Sequence, residues 1–186
     1  MDVRARLPLR FDGASLLADA SGLSADDWVP HFNTGYYEGD WSGAALRSVG
    51  GVARQLYPDP TAQATYADTP LLPRCPNAAA ALAVFRCPLL AVRFLRLGPG
   101  SKIREHRDFN LGFDDGEVRI HVPLSTGPAV EFVHDGQRVD MAEGEAWYLD
   151  LNLRHSVVNG GEHPRIHLVI DCVVDEWLRS ILDPAG

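Results

Sequence analysis

His106, Asp108 and His155 are the residues of this sequence whose types and spacing are best suited to chemistry. His106 and Asp108 are separated by one residue, so in an extended segment both side chains project from the same side and could chelate one ion. We expect His155 to reach that ion from a strand of the opposite sheet. Two imidazoles and one carboxylate suit Fe(II) and leave open positions for a cosubstrate and O2. A structural zinc site more often uses thiolates, and no cysteine lies nearby in the sequence.

Arg165 follows His155 by ten positions, in the segment PRIHLVID. A guanidinium group is permanently charged and forked, so it could hold a dicarboxylate through a bidentate pair. The triad together with this arginine predicts an oxygenase that uses 2-oxoglutarate as a cosubstrate. The histidines at 31, 134 and 163 occupy turn-like or aromatic loop segments, and we do not expect them to bind the metal.

Composition limits the classes of protein and partner. The chain has 186 residues, of which 46% are hydrophobic and 23% charged, which is typical of one globular domain over 1–186. Its net charge of −8 argues against a nucleic-acid partner, since that footprint would be basic. Cys75, Cys87 and Cys172 have no paired spacing and fit free thiols in a reducing cytoplasm. No signal peptide or transmembrane segment is evident, so we expect a cytoplasmic protein without a membrane partner.

The pattern of the chain changes near residue 90. Before it, short helical patterns alternate with Pro/Gly loops: one helix follows Asp12 and ends near Gly22, and another covers about 78–85 with Asn77 as its cap. We therefore expect residues 1–90 to be a helical and loop support. After residue 90 polar and apolar residues alternate with a period of two. This pattern predicts strands at 91–97, 117–124, 129–133, 137–141, 146–151, 155–158 and 165–173.

Many short strands separated by turn residues indicate a mainly β fold. We expect a double-stranded β-helix, the cupin-like jelly roll, as the core over 91–173, followed by a C-terminal helix over 174–183. In EVRIHVPL, Arg119 and His121 share one face of a strand and apolar residues share the other. Arg165 and His167 alternate with apolar residues in the same way. We expect the cationic faces to line a pocket, the alternative being that they point to solvent.

Four segments together resemble the aspartyl/asparaginyl β-hydroxylase family, which includes bacterial hydroxylases of free proline. The segments are GPGSKIREHRD, RIHVPLSTG, GEAWYLDLNLRHSVVNGG and PRIHLVID, and the earlier HFNTGYYEGDW resembles the segment that precedes the barrel in that family. The resemblance implies a double-stranded β-helix that binds Fe(II) and 2-oxoglutarate. It makes His106, Asp108 and His155 the iron ligands and Arg165 the partner of the distal carboxylate of 2-oxoglutarate. Arg119 and His121 match the pair that contacts its other carboxylate.

Two departures from the family pattern bear on the substrate. The peptide-hydroxylating branch has glycine where this chain has Asp108, so the chain is more similar to the amino-acid hydroxylases. A small hydroxyl residue stands near the distal carboxylate in that branch, whereas this chain has Leu95, so Arg165 would need a different helper. We therefore expect an oxygenase acting on a small amino-acid-like substrate, with Arg93, Arg96 and Arg104 as candidate partners for a substrate carboxylate. The alternatives are a peptide hydroxylase, a cupin enzyme without 2-oxoglutarate, and a metal-binding sensor or storage barrel.

Overall fold

The computed structural model describes residues 2–56 and 65–182. Its α-helices are α1 (Gly13–Ser21), α2 (Pro76–Leu82) and α3 (Glu176–Leu182). The first five strands are β1 (Arg4–Arg10), β2 (Val29–Pro30), β3 (Tyr37–Glu38), β4 (Trp41–Val49) and β5 (Tyr66–Asp68). The others are β6 (Leu89–Leu97), β7 (Lys102–His106), β8 (Glu117–Ser125), β9 (Val130–His134), β10 (Gln137–Arg138), β11 (Glu145–Leu149), β12 (His155–Asn159) and β13 (Arg165–Val173).

The strands form the two antiparallel sheets of a jelly roll, which confirms the predicted fold class. The large sheet has the order β1-β11-β8-β13-β6-β4-β2, with β5 paired to β4. The small sheet has the order β10-β9-β12-β7-β3. Side chains from the inner faces of both sheets meet in the interior of such a fold, so residues distant in sequence can share one cavity. No helix in the described ranges is long and apolar enough to cross a membrane.

The central strands of the large sheet have one apolar face and one polar face, as their period of two predicts. On β8, Val118, Ile120 and Val122 are completely buried and belong to one apolar core with Leu16 of α1 and Leu178 of α3. The helices therefore cover the outer face of this sheet. The cationic residues of the opposite face are largely buried, and Arg119, His121 and Arg165 line one cavity, so the expectation that the cationic faces line a pocket is correct.

Helices α1 and α2 are joined through a buried carboxylate. Asp12 caps α1 as expected, because its side chain accepts a hydrogen bond from the Ser15 amide at 3.1 Å. The prediction that Asn77 caps the second helix is wrong, since α2 begins at Pro76 and Asn77 lies inside its first turn. Asp19 accepts hydrogen bonds from the Ala78 amide and from the Asn77 side chain, both at 2.8 Å. This contact ties α2 to α1.

The expectation of helices and loops before residue 90 is incomplete. Strand β4 lies in the large sheet, where it pairs with β6, and β1 pairs with β11. Both faces of β4 are buried, so its sequence WSGAALRSV has no alternation of polar and apolar residues that would identify a strand. At the other end of the chain, the C-terminal helix begins at Glu176, later than expected, and residue 183 lies outside the described residues.

Candidate metal centre

The donor atoms of His106, Asp108 and His155 all lie within 4.8 Å of one another. His106 is the last residue of β7 and His155 the first of β12, and these two residues are directly paired in the small sheet. Their ring centroids are 4.3 Å apart. The expectation that His155 comes from the opposite sheet is therefore wrong, because the two histidines sit side by side on neighbouring strands. Asp108 follows two residues after His106 and completes a face of three donors.

Backbone carbonyls fix the orientation of both imidazoles. Nδ1 of His106 lies 2.8 Å from the Arg104 carbonyl, and Nδ1 of His155 lies 3.0 Å from the Leu153 carbonyl. A carbonyl only accepts hydrogen bonds, so each Nδ1 carries the proton and each Nε2 keeps a free lone pair. Burial, together with the neighbouring His106, lowers the pKa of His155 to about 4. This imidazole is therefore neutral at physiological pH, the form that binds a metal.

Arg119 holds the carboxylate of the triad. Its Nη1 donates to Oδ2 of Asp108 at 2.6 Å, while Oδ1 lies 3.9 Å from Nε2 of His106. One carboxylate oxygen is thus taken by the guanidinium and the other faces the imidazole. Burial acts to raise the pKa of Asp108, but the positive charge of Arg119 outweighs it, so the net shift is downward. Asp108 is therefore held as an anion with one oxygen available to a cation.

Arg119 is itself held by Asp171, which the sequence analysis did not single out. Its Nε and Nη2 donate to the two oxygens of Asp171 at 2.6 and 3.0 Å, and Arg93 donates to the same carboxylate at 2.9 Å. The Asp171 pKa falls to about 2, since the two guanidinium groups outweigh the effect of burial. The signal for Asp171 was present in the sequence, because it shares the period-two face of β13 with Arg165 and His167.

Arg165 and His121 present buried nitrogen atoms with no protein partner. Arg165 is 3% exposed, and its Nη2 contacts Nδ1 of His167 at 2.9 Å. Its Nε and both ring nitrogens of His121 have no hydrogen-bond partner among the described residues. Burial lowers the pKa of Arg165 to about 9, which leaves the side chain charged at neutral pH. A buried guanidinium without an acidic partner is costly, so this site fits the carboxylate of a ligand.

One cavity of about 400 Å³ is lined by the triad and by Arg119, His121 and Arg165. Of the three arginines proposed from the sequence as substrate contacts, only Arg93 lines it, and Arg93 is already paired with Asp171. Arg96 contacts Ser42 and Trp28, and Arg104 pairs with Glu38. The mouth of the cavity carries exposed aromatic side chains, those of Phe32, Tyr36 and Phe109.

His31, which we did not expect to be a ligand, lies in the wall of this cavity. Its ring stacks on Trp41 with centroids 3.6 Å apart, and its Nδ1 accepts a hydrogen bond from the Asn33 amide at 3.3 Å. Burial and the nearby charge of Arg93 lower its pKa to about 4. The neutral ring therefore carries its proton on Nε2 and is a hydrogen-bond donor.

The buried histidines predict how the stability of the metal-free protein depends on pH. Burial, assisted by Arg165, holds the pKa of His167 well below 6.5, so below that pH the unfolded chain binds a proton that the folded chain does not. The free energy of unfolding should therefore fall as the pH drops below 6.5. In urea denaturation, His167→Gln should reduce the slope of the unfolding free energy against pH. The reduction corresponds to at most one proton, about 1.4 kcal/mol per pH unit. The exposed His163→Gln should leave it unchanged; an equal slope in both variants would contradict the assignment.

Comparisons with known proteins agree with this geometry. The sequence profile described as aspartyl/asparaginyl beta-hydroxylase matches residues 15–174. The chain is 28% identical to the L-proline cis-4-hydroxylase of Rhizobium meliloti (strain 1021), over 95% of this chain and 64% of that protein. The chain thus spans somewhat less than two thirds of the length of that relative. A 2OG-Fe(II) oxygenase family oxidoreductase from Burkholderia pseudomallei shares the fold, with a TM-score of 0.58 at 16% identity, covering 91% of this chain and 85% of that one. The chain belongs to the aspartyl/asparaginyl β-hydroxylase family.

Proposed function

We propose that the protein is an Fe(II)- and 2-oxoglutarate-dependent hydroxylase that inserts one oxygen atom into an unactivated C–H bond of a small amino-acid-like substrate. The observation that carries the proposal is the presence, in one cavity, of a three-donor metal centre and a buried arginine without an acidic partner. A metal site alone would fit many cupins. The arginine adds the requirement for an anionic ligand.

The residues that would hold each group follow from the geometry. His106, Asp108 and His155 would hold Fe(II) through Nε2, Oδ1 and Nε2. Arg165 would bind the distal carboxylate of 2-oxoglutarate, with His167 as the helper that fixes its guanidinium in place of the missing hydroxyl residue. His121 is neutral because burial holds its pKa well below its usual value, so one of its ring nitrogens would donate to the other carboxylate.

The chemistry of the reaction belongs to the bound groups. Fe(II), 2-oxoglutarate and O2 together supply an oxidant that replaces C–H by C–OH while 2-oxoglutarate becomes succinate and CO2. The protein supplies the positions of these groups. Arg119 keeps one oxygen of Asp108 directed at the metal position, and the apolar side chains of Leu95, Ile103 and Leu111 form part of the cavity wall.

Two alternatives are weaker on specific grounds. A cupin that does not use 2-oxoglutarate would have no need for Arg165 inside the barrel, yet this arginine is buried with no carboxylate within reach in the described residues. A peptide hydroxylase of the same family would lack the carboxylate ligand, yet Asp108 lies with both histidines. The amino-acid substrate is further supported by the relative from Rhizobium meliloti, which is an L-proline hydroxylase.

Turnover with a substrate panel tests the proposal. The protein is incubated with Fe(II), 2-oxoglutarate, O2 and, separately, free amino acids, small amino-acid derivatives and peptides. We expect a free amino acid or small derivative to gain one oxygen atom in step with succinate release, as seen by mass spectrometry, and His106→Ala to abolish both. Efficient hydroxylation of an Asp- or Asn-containing peptide alone would identify the peptide branch. Absence of any succinate would reject the oxygenase.

Arg165→Lys tests the binding site for 2-oxoglutarate. A lysine keeps the charge but loses the forked donor, so the apparent KM for 2-oxoglutarate should rise about tenfold to a hundredfold, which corresponds to about 1.4–2.8 kcal/mol. The matched control is Arg104→Lys, because Arg104 is exposed, pairs with Glu38 and lies outside the cavity lining. If both variants keep the KM of the parent protein, Arg165 does not bind the cosubstrate.

A further inference from the structure

The jelly roll contains a second cavity, of about 430 Å³, beside the one that holds the triad. Among the described residues that line it, none is a ligand of the proposed metal centre, and only Phe132 and Arg165 also line the first cavity. The guanidinium carbon of Arg165 lies 5.7 Å from the centre of the Phe132 ring. These two side chains therefore form a partition with a cavity on each side.

The other charged groups of the second cavity are paired within the protein. Glu145 accepts a hydrogen bond from Arg6 at 2.9 Å, and Asp140 accepts one from Arg138 at 2.8 Å. Arg165 is the remaining charged residue of the described lining, and no acidic residue within the described ranges pairs with it. The second cavity therefore contains one cation whose charge no protein group neutralises.

The guanidinium of Arg165 keeps donors free for a ligand. Its Nη2 donates to Nδ1 of His167 at 2.9 Å, and its Nε has no partner among the described residues. Burial holds the pKa of His167 well below its usual value, so the ring is neutral and carries its proton on Nε2. His167 lines the second cavity and not the first, so it adds a further N–H donor on that side of the guanidinium.

The walls of the second cavity are apolar. Five of its side chains belong to one apolar cluster: Val130, Phe132, Val139, Met141 and Trp147. Nε1 of Trp147 donates to Glu145 at 2.9 Å, so the ring has no donor left for a ligand. Arg6 and Arg138 are exposed, whereas Arg165 is 3% exposed. The cavity therefore runs from a polar rim along apolar walls to a buried cation.

From this arrangement we propose that the second cavity binds a carboxylic acid with an apolar body, whose carboxylate pairs with Arg165 from the side that lacks the metal ligands. The volume is that of a small-molecule site, the apolar walls suit the body, and a guanidinium forms charge-assisted hydrogen bonds to a carboxylate. The pairing would relieve the cost of an unneutralised buried charge.

Occupation of this site would act on the metal side through the shared arginine. This consequence rests on the proposed function, which assigns Arg165 to the distal carboxylate of 2-oxoglutarate. One guanidinium that already donates to His167 has too few donors for two carboxylates. The acid would therefore compete with 2-oxoglutarate and raise its apparent KM without contacting the metal.

Calorimetric titration of the Fe(II)-loaded protein without O2 tests the site. The probes are octanoate and 3-phenylpropanoate, which distinguish a linear from an aromatic body, and the amide of each acid. We expect at least one acid to bind about tenfold more tightly than its amide, since the amide lacks the charge-assisted contact. Arg165→Gln should remove this preference. Arg104→Gln, at an exposed arginine outside both cavity linings, should keep it.

Bulky substitutions locate the bound acid. Met141 is half-buried and lines only the second cavity, so Met141→Trp should weaken binding of the acid about tenfold or more. Val130→Phe reduces the same cavity from β9 and serves if Met141→Trp does not fold. The matched control is Leu90→Trp, at a half-buried residue that lines only the first cavity, and it should keep the affinity of the parent protein. The acid should raise the apparent KM for 2-oxoglutarate in the parent protein but not in Met141→Trp.

The site and the proposed function fail separately. If no substrate gives succinate, the proposed function fails, while the titrations still measure binding to the second cavity. Equal affinity of acid and amide, no binding of either acid, or acid binding that survives both Met141→Trp and Val130→Phe overturns the site. An acid that binds through Arg165 and leaves the KM for 2-oxoglutarate unchanged overturns the competition.

Discussion

The structure depends on how a barrel interior accommodates positive charge. Arg93, Arg119 and Arg165 all lie inside the jelly roll, where an unpaired cation is costly. Asp171 pairs with two of these cations, because its two oxygens accept hydrogen bonds from Arg93 and Arg119. Arg119, held in this way, reaches Asp108 and fixes one of its oxygens. The orientation of the carboxylate in the metal centre is therefore set by Arg119 of β8, which Asp171 of the neighbouring strand β13 holds in place.

Arg165 is left out of this network, and the exception has a functional meaning. It contacts a neutral histidine, which fixes its position but does not neutralise its charge. Selection for stability alone favours a paired or apolar residue at such a place, so an unneutralised cation indicates a binding site. Arg93 and Arg119, which share Asp171, are paired within the protein, whereas Arg165, which we assign to a ligand, has no acidic partner among the described residues.

The sequence predicted the site better than its surroundings. Spacing and donor type identified the three triad residues, and the period of two on β8 and β13 predicted the inward cations. Strand β4 was missed because burial of both faces removes the alternation that identifies a strand. The placement of His155 beside His106 was missed because strand pairing is a long-range property that local pattern does not encode. Asp171 was overlooked although it lies on the polar face of β13, and its role becomes clear only when β6 and β8 bring their arginines beside it.

The most direct test of the account is an anaerobic titration of the Fe(II)-loaded protein with 2-oxoglutarate, followed by visible absorption. A metal-to-ligand charge-transfer band requires the cosubstrate to bind the metal itself, so it reports the triad and the arginine site together. We predict a band that requires both Fe(II) and 2-oxoglutarate and saturates at one equivalent of each. The His155→Ala variant, which would lose a metal ligand, should show no such band. A protein that binds Fe(II) and remains folded but develops no band with 2-oxoglutarate would contradict the account.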